Sequence, residues 1–554
     1  MICLLAVVTS LCACNAQEEV EETLSEQELA STCKVAMGYA DITPSQDVYL
    51  QGYEEASPNT LAINPTDFTS DLRARILIID NGTDRLVFLN LEIISSSAEY
   101  GDHNVSVELM DAIATLCDTK RENVLLSNVH SHQSYMNLTF PEEQRIVDAV
   151  KEAYMRLTPA KVGVSQVYTH YGVSRGSDYT IEETAPYDSL MNVIRFEDAV
   201  TGQPIGMVYS VPIHNTMLGN GTNINHNQLS CEFTGYASRA VESAMEEQNP
   251  NFTAMHINGF YGNSGPYTDG KFRAGTVEKL QENGAAFGQE LLTAFESAKM
   301  GVATGEIKTD FVQGSIPAHA TNKYYKSLFG DLEEMPLTVT LGAFGDIAYV
   351  GVNYEPYSII GARLKAESPY KTLIPAGIVN GWKGYIPTKE AVELHESGAY
   401  QAECAPNKTP FDANGEESFY GQVLDAVCGM AQVSLKRVPM KAAAVKEKRN
   451  TAVYTFTSDE AAALDKLVIS FGQELRTDCA MDFEVEACDK NDKVVWNKEY
   501  TGNSVNYLGE FLAGAEVASV KLTVSTRFGS DMTPVTDGID QLPIEIWGIQ
   551  FTNQ

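Results

Sequence analysis

Long apolar runs alternate along the chain with stretches in which apolar residues recur every three or four positions, the pattern of sheets layered with helices. ARILIID (Ala74–Asp80), RLVFLNLEII (Arg85–Ile94) and ENVLLSNV (Glu122–Val129) are nearly continuous apolar runs and predict buried strands. Asn81-Gly82 between the first two predicts a hairpin. VSVELMDAIATLC (Val105–Cys117), QRIVDAVKEAYMRL (Gln144–Leu157) and the stretch from Glu278 to Lys299 have helical spacing, and strands resume at LTVTLGAFGDIAYVGVN (Leu337–Asn353). The expected class for this part is α/β. After Met440 the pattern changes: KAAAVKEKRN is basic and polar, followed by short strand-like runs at Val453–Phe456, Lys466–Ser470, Asp482–Glu486, Val494–Glu499, Ser519–Val524 and Ile544–Phe551. Turn residues separate them, which predicts an all-β sandwich module.

A chain of 554 residues with 44% apolar and 20% charged residues is long enough for several folded domains and too apolar for disorder. Lys and Arg total 39 against 74 Asp and Glu, a net charge of −35 that opposes contact with phosphate backbones, so no nucleic-acid partner is expected. Beyond the first dozen residues no apolar run approaches the ~18 needed to cross a bilayer.

Ile2 to Cys14 (ICLLAVVTSLCAC) is a short apolar run ending in small residues, suited to a signal-peptide core. Leu11-Cys12-Ala13-Cys14 resembles a bacterial lipoprotein box, and the acidic tract from Glu18 to Glu22 resembles the tether after it. The expectation is an exported protein, lipid-anchored through Cys14 at a bacterial envelope or surface, with plain secretion as the alternative. Ten cysteines are present; setting aside Cys3, Cys12 and Cys14 leaves Cys33, Cys117, Cys231, Cys404, Cys428, Cys479 and Cys488, an odd set without a C-x-x-C pair. The nearest pairs are Cys404–Cys428 and Cys479–Cys488, and spacing does not assign bridges. Three parts follow: residues 1–34 as signal and tether, 35–440 as the α/β domain and 441–554 as the β-sandwich module.

The strongest chemical signal is Asn128-Val129-His130-Ser131-His132, directly after a predicted buried strand. Residues at i and i+2 of a strand share a face, so two imidazoles are expected to emerge together where loops build sites. Neutral imidazole is a good zinc ligand, although histidines also serve as surface or core residues. Of nine histidines, His214 in YSVPIHNTM also follows an apolar run, and His226 stands in an Asn/Gly-rich loop. His103, His170, His256, His319 and His395 stand alone.

From about Val35 to Glu403 the chain resembles the neutral, non-lysosomal ceramidases, zinc-dependent amidases that cleave the N-acyl bond of ceramide. The resemblance rests on GYADITP (Gly38–Pro44), LRAR (Leu72–Arg75), NVLLSNVHSH (Asn123–His132), VSRGS (Val173–Ser177), VPIHNTM (Val211–Met217), LSCEFTGYAS (Leu229–Ser238), GFYGNSGP (Gly259–Pro266), NYEPYSIIGARL (Asn353–Leu364) and NGWKGYIPTKEA (Asn380–Ala391), in that order. It implies a mixed-sheet catalytic domain of the neutral ceramidase type, with zinc held by His130, His214, Glu355 and Tyr385. His132 and Arg175 then line the reacting amide, and Tyr400 stands near the oxyanion. Two departures stand out. His130-Ser131-His132 is followed by Gln133-Ser134-Tyr135 in place of Ser-Gly-Pro, and Gly262-Asn263-Ser264-Gly265-Pro266 has glycine where the family has serine or asparagine. A serine nucleophile is therefore less expected than water activated by a metal.

Three functions fit these residues. The first is a zinc-dependent hydrolase of an N-acyl bond, acting on a lipid or other acylated small molecule. The second is a zinc enzyme on the same scaffold acting on a glycan or other polar acylated substrate, since Trp382 and Tyr385 suit a sugar ring as well as a lipid. The third is a binding protein that has lost catalysis.

Overall fold

The computed structural model describes residues 25–51, 62–63, 70–96, 105–135, 137–175, 183–218, 229–268, 270, 276–318, 333–397, 404, 409–448, 450–473 and 475–554. The lipoprotein-like segment with Cys14, and also His103, Tyr400, His226 and His319, lie outside them.

The apolar runs do form buried strands. Arg73–Asp80 and Arg85–Leu91 pair antiparallel across the Asn81-Gly82 turn, with Gly82 at φ 86°. They belong to a mixed nine-stranded sheet ordered Thr253–Asn258, Pro204–Val211, Leu190–Asp198, Thr158–Tyr168, Lys34–Asp41, Arg73–Asp80, Arg85–Leu91, Val124–Asn128, with Lys299–Val302 added to Thr158–Tyr168. Nearly every residue of Arg85–Leu91 is buried because both faces of this sheet are covered. On one face lie the helices Val107–Leu116, Phe140–Tyr154, Glu232–Met245 and Val277–Ser297. Against the other packs a four-stranded sheet, Ile307–Pro317, Glu334–Phe344, Ile347–Val352 and Thr372–Ala376, through Leu77, Phe88 and Ile257 on one side and Phe344, Tyr349 and Ile374 on the other. The helices Ser358–Glu367 and Gly415–Ala431 close the stack with their own apolar cluster. The result is four layers, helix on sheet on sheet on helix. Among the described residues no helix is long and apolar enough to cross a membrane.

Three pairs in these sheets are parallel: Arg85–Leu91 with Val124–Asn128, Pro204–Val211 with Thr253–Asn258, and Ile347–Val352 with Thr372–Ala376. Loops leaving the C-terminal ends of parallel strands are where α/β folds build their sites.

The C-terminal part is a β module on a single apolar core. Its hydrogen-bonded path runs Val433–Pro439, Glu545–Asn553, Thr451–Ser470, Tyr507–Phe528, Ala480–Cys488, Val494–Tyr500. Two of the short strands expected from sequence, Val453–Phe456 and Lys466–Ser470, are one strand interrupted by irregularities after Thr457 and after Leu464. The polar segment Lys441–Lys448 is itself a strand, paired to Thr451–Ser470 and exposed along its whole length, which is why it lacks an apolar face. The module grips the helix Ser358–Glu367. Lys466 Nζ donates to the Ser368 carbonyl at 2.8 Å, and Arg437 Nε pairs with Glu367 Oε1 at 2.9 Å. Gly509 is needed for this approach, since a Cβ there would lie 2.1 Å from the Ala366 carbonyl oxygen.

Charges buried between sheet and helix are matched. Arg75, 1% exposed, pairs with Glu92 and Glu242, and Arg239 also reaches Glu92. Arg239 and Arg73 hold the Asp71 carboxyl down at about 2 against the opposing effect of burial. All seven cysteines of the described part are buried free thiols.

Candidate metal centre

All three parallel pairs send their loops to one place. His130 follows Val124–Asn128, His214 follows Pro204–Val211, and Glu355 follows Ile347–Val352. The imidazoles of His130 and His132 meet as expected, but not along a strand. The strand ends at Asn128 and His130 adopts φ 55°, so a turn and not the two-residue strand repeat brings the rings together. Their Nε2 atoms are 2.9 Å apart and their planes stand at 81°. His132 is the least buried of the group.

The ring tautomers follow from their partners. His130 Nδ1 donates to the Ile94 carbonyl at 2.6 Å, and His214 Nδ1 faces the carbonyls of Tyr261 at 3.0 Å and Ser264 at 3.2 Å. A carbonyl only accepts, so both rings carry the Nδ1 proton and turn the Nε2 lone pair inward. There they meet Glu355, whose Oε2 is 3.0 Å from His214 Nε2 and 3.8 Å from His130 Nε2. Burial lowers the pKa of His130 to about 4, outweighing the opposite pull of Glu355, so its imidazole is neutral at neutral pH. Glu355 Oε1 accepts a hydrogen bond from Trp382 Nε1 at 2.7 Å, whereas buried Oε2 accepts none among the described residues.

Two inward lone pairs and a carboxylate oxygen converging at this range repel one another unless a cation lies among them. The donor set therefore fits a divalent metal such as zinc. His130, His132 and His214 also present ring nitrogens within 4.8 Å of one another. Tyr385 is buried and is the parallel ladder partner of Glu355, so the two side chains leave the same face.

Arg175 lies beside this group. Its backbone N–H donates to Asn263 O and its guanidinium to Gly262 O, both at 2.6 Å, and its charge contributes to the lowered pKa of His130. Ser264 is fully buried, with its hydroxyl directed at the Pro212 carbonyl at 2.7 Å and the Tyr261 carbonyl at 3.0 Å, a structural placement. Among the solitary histidines, His256 is a core residue against Tyr209, and His170 is exposed.

Asn215 escaped sequence reasoning, and it stitches two of the loops. Its Nδ2 donates to the Val129 carbonyl, its Oδ1 accepts from Thr234 N at 3.2 Å and Thr234 Oγ1 at 3.0 Å, and its backbone carbonyl accepts from His132 N at 3.2 Å. Next to it Glu232, at φ 59° and fully buried, accepts the backbone N–H groups of Met217 and Leu218. Burial raises its pKa to about 7.

The profile of the neutral/alkaline non-lysosomal ceramidase N-terminal domain matches residues 33–316, more than half of the chain. The chain belongs to this family. Two solved structures share the fold over 94% of this chain at 15% identity and a TM-score of 0.54. One is described as a ceramidase complexed with C2, of which 99% is covered, and the other is the neutral ceramidase from Pseudomonas aeruginosa, of which 98% is covered. No curated protein matches the sequence. Membership supports a hydrolase, and the helix-flanked mixed sheets with a C-terminal β module are those of the ceramidase fold.

Proposed function

We propose that the protein is a zinc-dependent hydrolase that cleaves the N-acyl bond of a ceramide-like substrate. The observation that carries this reading is the convergence of His130, His214 and Glu355, with His132 against His130 on the more open side. Tyr385, paired with Glu355, completes the proposed ligand set. A zinc ion held there supplies Lewis acidity and a water with a pKa near ~7. The chain's own residues do the rest. His130 and His214 are locked as Nδ1–H tautomers by backbone carbonyls, so neither has to rotate or shed a proton to act as a ligand. In this reading His132, whose Nε2 lies 2.9 Å from that of His130, accepts a proton from the attacking water and returns it to the leaving amine. Arg175 brings a positive charge and N–H donors to the side where the acyl oxygen gains charge, and Tyr400 is proposed as a second donor there. Ser264, committed to backbone carbonyls, has no part in this chemistry.

The test is turnover. Zinc-replete protein is offered short- and long-chain N-acylsphingosines beside acylated sugars. Release of sphingosine, lost on chelation and restored by zinc, is the expected result; cleavage of the sugars alone replaces the substrate assignment, and turnover unaffected by complete zinc removal overturns the metal mechanism. We further propose export and anchoring to the membrane through a lipidated Cys14, checked by the mass of the mature N-terminal peptide.

A further inference from the structure

The loop 377–384 is strained and heavily pinned. Ile378, Asn380, Gly381 and Gly384 all have positive φ, at 52°, 61°, 102° and 108°. A β-branched residue in that region costs free energy, and such strain persists only where the surroundings enforce it. Here they do. Asn128 Nδ2 donates to Ile378 O at 2.6 Å, Asn380 N to Ser96 O at 2.9 Å, Asn380 Nδ2 to Thr340 Oγ1 at 2.7 Å, and Glu355 N to Gly384 O at 3.0 Å. Asn128 precedes His130 by two residues, so the strand that leads into one imidazole also fixes this loop.

What the pinned loop presents is Trp382, partly buried, with its indole N–H on Glu355 Oε1 at 2.7 Å. A carboxylate binds a cation through one oxygen or through both. An N–H directed at Oε1 withdraws that oxygen and fixes the carboxylate plane, leaving Oε2, the atom that faces His214 and His130, to ligate alone.

We propose that Trp382 is a positioning residue that makes Glu355 a one-oxygen ligand and so preserves a coordination position for the reactant. This rests on the reading that His130, His214 and Glu355 hold zinc. The chain provides its own reporter: of its three tryptophans, Trp496 and Trp547 lie in the C-terminal strands, which leaves Trp382 alone at the site.

The experiment compares wild type with Trp382→Phe, which keeps a ring and removes the donor, and with Trp382→His, which restores a ring N–H. Expected for Trp382→Phe is a zinc dissociation constant, by competition with a chromophoric chelator, raised roughly 10- to 100-fold, with partial recovery in Trp382→His. Zinc X-ray absorption should show a second carboxylate oxygen in Trp382→Phe only. In the wild-type chain, whatever the variants do, zinc should shift the indole N–H resonance of Trp382 and leave those of Trp496 and Trp547 in place. A Trp382→Phe protein that binds zinc as tightly as wild type with unchanged absorption, or an unmoved Trp382 resonance in zinc-loaded wild type, overturns the role of Trp382 alone. A wild-type chain that takes up no zinc overturns the metal reading beneath it.

Discussion

Replacing Asn215 with alanine tests whether the two imidazole-bearing loops are held by one another or by their strands. Asn215 is fully buried, and the change leaves its backbone contacts to Ser131 and His132 intact while deleting the three side-chain hydrogen bonds. Three buried groups lose a partner, the Val129 carbonyl, the Thr234 hydroxyl and the Thr234 N–H. The last of these lies in the first turn of the helix Glu232–Met245, whose N-cap Cys231 makes no side-chain cap. At ~1–3 kcal/mol for each unsatisfied group, the local cost is about 3 kcal/mol, or roughly a hundredfold in an opening equilibrium. A chain of several domains does not unfold in one step, so the assay is peptide-resolved hydrogen exchange. Peptides covering 124–135, 204–218 and 232–245 should exchange about a hundredfold faster in Asn215→Ala, while those covering 451–470 stay unchanged as an internal control. Zinc affinity should fall alongside, because the spacing of His130 and His214 is set through this side chain. Protection within about threefold of wild type in all three segments refutes the reasoning, and the loops are then fixed by their strands.

His130→Ala should lose zinc and activity together, whereas His132→Ala should keep zinc and lose rate by a factor of ~10²–10⁴, read from metal content and kcat; equal rates for His132→Ala and wild type remove its proton-transfer role. Ser264→Ala should cost about 1–2 kcal/mol of stability and leave turnover nearly intact, and an inactive but zinc-loaded, folded variant returns the hydroxyl to the mechanism. Burial lowers the pKa of Lys466 from 10.5 to about 7, so between those values the unfolded chain holds a proton that the folded chain lacks, and stability rises with pH through that window. In Lys466→Met that rise, about 2 kcal/mol between pH ~7.5 and ~9.5, should disappear from urea unfolding of the C-terminal module; a slope equal to wild type means that the lysine is solvated.

What could be read from the chain was whatever depends on local pattern. Arg85–Leu91 and Val124–Asn128 announced themselves because strands covered on both faces have no polar side, and His130, His132 and His214 were visible as histidines just beyond such strands. Glu355 and Tyr385 carry no local signal and came from the family resemblance alone. They stand in two-residue strands that exist only through their mutual pairing. Asn215, Glu232, Asn128 and Trp382 were not singled out as loop-binding or carboxylate-binding residues, because each acts on a partner well removed in sequence, as when Asn128 reaches Ile378. The edge strand Lys441–Lys448 went unseen for the opposite reason: with no buried face, its residues answer to hydrogen-bonding geometry and not to apolarity.

The helix Ser358–Glu367 has a double allegiance. Its first turn begins just after Glu355, and its last turn is clasped by Arg437 and Lys466 and seated against Gly509. The C-terminal strands are thus a splint for the acid end of the candidate metal centre rather than a detachable appendage. A fragment trimmed at 440 would keep the proposed site residues and Arg437 but lose Lys466 and Gly509, the rest of the clasp behind Glu355, and grafting an unrelated module onto that stump would not restore it unless the graft also carried a lysine and a glycine at matching places.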